Sequence, residues 1–235
     1  MPAPPQNLSP PKEWKLDAID FAISERGAKS FADLGGIGVV YGQYSMHAMD
    51  NPAVEKVVLV DDFLPGLEHE WVADETSSRG IDVVHGNFAD PRLTERVGDV
   101  DAILLFEVLL HAADPDWDDL ISMWAPHTKT FVVANPQWTG PETVRLIELG
   151  RERYLGVVPD TSNHRALFDR LDVEVPHLGK PWRNAHHVFQ WGITDEGLTA
   201  KMREEGFELA SSAECGAFLG NSPNFTNKWF VFGRS

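Results

Sequence analysis

Between Ser30 and Gly42 the chain reads Ser-Phe-Ala-Asp-Leu-Gly-Gly-Ile-Gly-Val-Val-Tyr-Gly. A short apolar segment around Phe31 and Ala32 meets an acid, Asp33, and then three glycines in four positions, Gly35, Gly36 and Gly38. That is the pattern of a buried strand ending in a tight turn. Glycine removes Cβ atoms where backbone must touch a flat or charged group, and a helix starting near Val40 turns its free N–H groups toward the same ligand. A cofactor is the expected visitor.

A dinucleotide fingerprint would be Gly-x-Gly-x-x-Gly. Gly36 and Gly38 supply its first two glycines, but Tyr41 stands at the third and Gly42 comes one residue late. The stretch resembles instead the first motif of class I S-adenosylmethionine-dependent methyltransferases, on Asp33, Gly35, Gly36 and Gly38, with Ile37 where that family has its middle glycine. The resemblance implies S-adenosylmethionine as cofactor, with these four residues at its methionine end. It also implies an α/β fold: a doubly wound, mostly parallel, seven-stranded Rossmann-like sheet.

The rest of the chain alternates accordingly. Apolar positions Trp14, Leu16, Ile19, Phe21 and Ile23 predict a helix over 13–26. A helix over 44–49 ends before Asn51-Pro52, and Val57 to Val60 reads as a buried strand closing on Asp61-Asp62. From Asp33 to Asp61 is one βαβ unit, whose second acid lies beside the first loop and can accept both hydroxyls of a ribose; Asp61 is the choice for that role, Asp62 the reserve. A helix over 68–78 leads to a third strand over 81–85. The resemblance then implies Asn87 on the adenine edge, where the family shows Asp, with Phe88 on the adenine face and Asp90 as a substitute for Asn87. A fourth strand over 100–106 ends at Glu107, a helix follows Asp114-Pro115 through Met123, and a fifth strand over 130–134 is broken by Asn135-Pro136. Such sheets bind ligands at the carboxyl ends of their strands, where Asp33, Asp61, Asn87, Glu107 and Asn135 fall. Thr194 caps a helix ending near Gly206, and two closing strands, over 207–210 and 228–232, take the family's sixth and seventh places, the seventh antiparallel beside the fifth.

Residues 135–192 leave the alternation and are rich in aromatic and imidazole side chains, as expected of a cap over an acceptor substrate. Trp138, Arg145, Trp182, Arg183 and Trp191 are its candidate substrate contacts, Arg145 on a helix over 142–154. Asn135-Pro136-Gln137-Trp138 resembles the Asn-Pro-Pro-aromatic motif of amino methyltransferases, with Gln137 in place of a proline. Methyl transfer asks for in-line positioning and often for a base. His111, just past the fourth strand, is the best-placed base, with His186 or His187 as alternatives; in a strand those two point to opposite faces. Leu110-His111 also resembles the start of the Leu-His-Asp-Trp stretch of small-molecule O-methyltransferases, whose histidine is the base, although Ala112 and Ala113 replace the next two residues.

Composition excludes several partners. The 20 Lys and Arg stand against 36 Asp and Glu, a formal net charge of −16, which repels nucleic acid and anionic membrane. The single Cys215 excludes an internal disulfide, and a cytoplasmic location is expected. No metal is expected: His-x-x-x-His is absent, and the Glu174 to His177 pair contains Pro176, which argues against a helix that would align two ligands. Residues 1–12 are expected to be a flexible Pro-rich tail on a single domain over 13–235, its oligomeric state left open. The expected activity is methyl transfer to a small-molecule acceptor. The alternatives are a non-catalytic protein that binds S-adenosylmethionine or S-adenosylhomocysteine, and a nucleotide-linked oxidoreductase.

Overall fold

The structure, a computed structural model, describes residues 2–158, 165–175, 179–184, 188–218 and 222–234. Its elements run α1 (Glu13–Arg26), β1 (Ser30–Leu34), α2 (Gln43–Asp50), β2 (Lys56–Asp61), a one-turn α3 (Leu64–Leu67), α4 (Glu70–Arg79), β3 (Asp82–His85), α5 (Arg92–Val97) and β4 (Val100–Phe106). After them come α6 (Trp117–Trp124), β5 (Thr128–Trp138), the cap with β6 (Val144–Arg145), α7 (Arg151–Val157), β7 (Glu174–Val175), β8 (Lys180–Pro181) and β9 (Trp191–Gly192), then α8 (Asp195–Glu204), β10 (Glu208–Ala217) and β11 (Phe225–Gly233). Seven strands form one sheet in the order β10-β11-β5-β4-β1-β2-β3. β3, β2, β1, β4 and β5 pair in parallel, and β11 runs antiparallel between β5 and β10. This is the topology the sequence resemblance implies, the last strand inserted beside the fifth.

Strand alternation divides the core between the two faces of the sheet. Phe31, Leu59, Leu104 and Val132 meet α1, α2 and α4, while Ala32, Val58, Ile103 and Val133 meet α6 and α8. The buried stripe of α1 is not the expected one. Lys15, Ala18, Ile19, Ala22 and Ile23 are buried, at the spacing of one helix face, while Trp14 and Phe21 flank it. A lysine thus occupies a core position. Among the described residues no helix is long and apolar enough to cross a membrane.

Three expectations need correction. β5 does not break at Asn135-Pro136; it runs on to Trp138, paired with Phe225 to Gly233 of β11. Proline is tolerated because the Trp138 N–H turns away from β11, to the Ile193 carbonyl at 2.8 Å, and Pro136, two residues earlier, directs its N–H-less nitrogen the same way. The Asn-Pro-Gln-Trp stretch is therefore buried strand. Residues 142–154 are not one helix, since Val144 and Arg145 pair with Gly192 and Trp191 and the Leu146 N–H donates to the Gln190 carbonyl, tertiary pairing overriding helix propensity. Finally, the Pro-rich stretch is held to the glycine loop and to α2. The Ser9 N–H donates to the Val39 carbonyl, the Tyr41 hydroxyl to Asn7 Oδ1, Gln43 Nε2 to the Ser9 carbonyl, and the Lys12 N–H to the Tyr44 hydroxyl.

Candidate active site

A cavity of about 460 Å³ opens at the carboxyl ends of β1, β2 and β4. Of the cofactor candidates, Gly35, Gly38, Asp61, Asp62, Asn87, Phe88 and Glu107 line it, and so does His111. Gly35, at φ 78°, has no room for a side chain: a Cβ would come within 2.9 Å of Val108 Cγ1 and 3.2 Å of Phe88 Cε1. Gly36 and Asp33 are not at the wall. Gly36 lies on the underside of the loop, where a Cβ would collide with the Asp33 carboxylate and with Leu59. Asp33 itself is 1% exposed and accepts from Ser45 Oγ at 2.7 Å. Strand parity explains this, because Asp33 shares the face of Phe31, toward α2. It braces the loop from below.

Burial is the chief cause that pushes Asp33 from its ordinary 3.8 up to about 6; the Ser45 bond opposes it, the Asp61 charge adds to it, and Lys15 opposes. A folded-state value above the unfolded one means stability that is complete below about pH 4 and lost as pH rises through about 6. Asp33→Asn keeps an acceptor for Ser45 and removes that dependence. The variant should gain on wild type between pH 4 and pH 7, by roughly 2–3 kcal/mol at most. Urea unfolding of both proteins at pH 4.5 and pH 7.5 measures this; an unchanged difference between the two pH values would contradict it.

Asp61 ties the loop to the chain after β2. Its Oδ2 accepts from the Ile37 N–H at 2.9 Å and its Oδ1 from the Phe63 N–H at 2.8 Å, and each oxygen keeps a further lone pair. Burial pushes its carboxyl up and these two N–H bonds pull it down. The Ile37 departure from the family motif is accommodated in the same way. Its side chain is wholly buried and lies on Gly66 of α3, off the cavity wall. Asp62 is an exposed neighbour on the rim. On the far wall, Asn87 Oδ1 accepts from the Ala89 N–H at 2.9 Å, and the Phe88 carbonyl accepts from Trp124 Nε1 at 3.0 Å. Asp90 is clamped by Arg92 and is not part of the wall.

The loop after β4 is tied to the end of the cap. Gln190 donates its N–H to the Leu110 carbonyl at 2.9 Å, Trp191 Nε1 donates to the Ala112 carbonyl at 3.0 Å, and His111 Nδ1 lies 2.8 Å from the Val188 carbonyl. A carbonyl only accepts, so Nδ1 carries the proton and Nε2 of the neutral ring is the acceptor nitrogen. Glu107 sits at φ 59°, a left-handed conformation that costs a non-glycine residue about 1–2 kcal/mol. Two contacts hold it: its N–H donates to the Ala134 carbonyl at 2.7 Å, and its Oε1 lies 2.9 Å from Lys15 Nζ.

The five cap residues expected at the substrate stand off the wall of this cavity, with Arg145 on a hollow that shares Asp114 and Pro115 with it. Trp138 packs on Phe225 in the cap's own small core, which Trp182 also joins. Arg183 pairs with Glu148 and Asp172, and Arg145 lies over the Trp191 ring with Asn184 and Asp116 beside it. None of the five lines the cavity; among the described residues the cap reaches it through Lys180, which pairs with Asp114 at 3.0 Å. His186 and His187 lie outside the described residues. Two lysines were missed. Neither was marked locally: the apolar stripe expected of α1 leaves Lys15 off its face, and nothing near Lys180 in the chain singles it out. Among the described residues no three His, Cys, Asp or Glu side chains gather as they would around a metal ion.

No family model matches the chain, and no curated protein matches it in sequence. Solved structures do match. The N-terminal domain of EvdMO1 with SAH bound is 14% identical at a TM-score of 0.59, over 97% of this chain and 82% of that one. Magnesium protoporphyrin IX methyltransferase (ChlM) from Synechocystis PCC 6803, with bound SAH, is 12% identical at 0.58, over 94% and 82%. Burkholderia thailandensis 1,6-didemethyltoxoflavin-N1-methyltransferase, with bound 1,6-didemethyltoxoflavin and S-adenosylhomocysteine, is 13% identical at 0.57, over 95% and 80%. The fold of this chain is that of the class I methyltransferases.

Proposed function

We propose that the chain is an S-adenosylmethionine-dependent methyltransferase of a small-molecule acceptor, working in a reducing cytoplasm. The observation that carries this reading is the charge of the cavity. Among the described residues, Asp61, Asp62, Glu107 and Asp114 line it against one cation, Lys180, itself paired with Asp114. Such a wall repels the pyrophosphate of a dinucleotide and suits a ligand that carries a sulfonium and an ammonium. The glycine loop fits the same site: at Gly35, where Val108 and Phe88 leave no room for a side chain, the loop meets the cavity as bare backbone. The oxidoreductase reading loses on the charge of that wall.

When bound, the cofactor supplies an electrophilic methyl group. The remaining work falls to this chain. Asp61 offers its spare lone pairs to the ribose hydroxyls while its N–H bonds keep the loop in place. Asn87 and Phe88 meet the adenine edge and face, and Glu107 meets the cationic amino-acid end. His111 takes the proton of the acceptor on Nε2, its tautomer held by the Val188 carbonyl.

Calorimetry with S-adenosylhomocysteine and with NAD tests the reading: the first should bind and the second should not. In the same titration Asp61→Ala should weaken S-adenosylhomocysteine binding by roughly 1.5–3 kcal/mol, the range for hydrogen bonds to a charged partner. Binding of NAD alone would overturn the proposal, and an unaltered affinity in the variant would remove Asp61 from the ribose. A binding-only protein would take S-adenosylhomocysteine yet transfer no methyl group to any acceptor in a cell extract.

A further inference from the structure

We infer that Lys15, on the helix before the first strand, is a positioning residue for the cofactor's amino-acid end and acts through Glu107; the inference rests on the methyltransferase reading. Lys15 is 5% exposed, and an ammonium so far from water needs an opposite charge. Its Nζ lies 5.3 Å from the ring centres of Trp14 and Tyr44 and 5.6 Å from that of Phe106, inside an aromatic box that fixes the side chain. Its ion pair is with Glu107, whose Oε1 is 2.9 Å from Nζ, while the buried carboxylate of Asp33 feels the same ammonium through its field without a direct bond among the described residues. Glu107 is 40% exposed at its side chain and lines the cavity, so one oxygen faces the lysine while the carboxylate remains open to the cavity.

Glu107 cannot reach that orientation by local preference, since its backbone is in the left-handed region. The next residue, Val108, packs on Gly35 and so sets Glu107 beside the glycine loop. There its carboxylate is placed to receive an α-ammonium group. Lys15 is not at the cavity wall, and its contribution is to hold this carboxylate fixed and aimed. The N-terminal helix thereby becomes part of the cofactor site without touching the ligand.

The test is S-adenosylhomocysteine affinity by calorimetry, with the melting temperature recorded for each variant. Lys15→Met and Glu107→Gln should each bind roughly tenfold to hundredfold more weakly, and the double variant no more weakly than the poorer single one, because the two residues act as one device. Lys15→Arg should recover most of the affinity. A Lys15→Met protein that melts lower but binds like wild type would make Lys15 structural and overturn the inference. So would losses that multiply in the double variant, which would mean that Lys15 meets the ligand by itself. Where Lys15→Met alone does not fold, the double variant, which strands no charge, is compared with Glu107→Gln, and equal affinity supports the inference. A wild type that binds no S-adenosylhomocysteine overturns the functional reading itself, a result distinct from failure in the variants alone.

Discussion

Replacing His111 by alanine should slow the methyl-transfer step roughly a hundredfold to ten-thousandfold while S-adenosylhomocysteine affinity stays put. The size follows from the loss of a positioned base, and the unchanged affinity from geometry. His111 lines the cavity from the far end of the loop after β4, with its ring held by the cap and not by the glycine loop or Asp61. Its ring is set by a bond from the cap, Nδ1 to the Val188 carbonyl, so the base and the proposed acceptor cover are built together. Single-turnover kinetics with the acceptor in excess gives the chemical step free of product release. Near-normal turnover in His111→Ala would move the base elsewhere. A parallel loss of S-adenosylhomocysteine binding would make His111 part of the cofactor wall.

Trp124→Ala should cost roughly 3–5 kcal/mol of stability, the range for truncating a large aromatic in a core. Trp124 is 0% exposed, at the end of α6, in the layer that packs on β4 and β5. The same side chain also reaches the site, since its Nε1 donates to the Phe88 carbonyl. Trp124→Phe retains most of the volume and removes that bond. It should therefore lose far less stability, about 1–2 kcal/mol, while still weakening S-adenosylhomocysteine binding through the loosened Phe88 wall. Urea unfolding and calorimetry on both variants separate the two effects. Equal destabilisation by Ala and Phe would contradict the packing account.

The sheet was legible because its evidence is local. The apolar runs Val57 to Val60 and Ala102 to Phe106 are long enough to be strands, and each is closed by a polar residue at the edge where ligands bind. Asp61, Asn87, Glu107 and His111 reach the cavity because a strand's end fixes where the next residue stands, whatever lies farther along the chain. Facing direction was not legible in the same way. Asp33 belongs to the motif yet turns under the loop, since one step of strand parity decides between wall and core and the neighbour that receives it, Ser45, lies a helix away. The cap was the least legible part. Its tryptophans and arginines announce a purpose by their density alone, and pairing between segments some forty residues apart, Arg145 with Trp191 and Asn184, sends them to hold the cap together. The same dependence on distant partners governs Pro136, which local rules place at a break and which β11 and Ile193 together allow inside a strand. Residue type and spacing by themselves determined the fold and the edge at which a ligand belongs. Which of the polar residues at that edge face the ligand, and which buried charge stands behind them, was decided by contacts between residues far apart in the chain, as Lys15 and Glu107 illustrate.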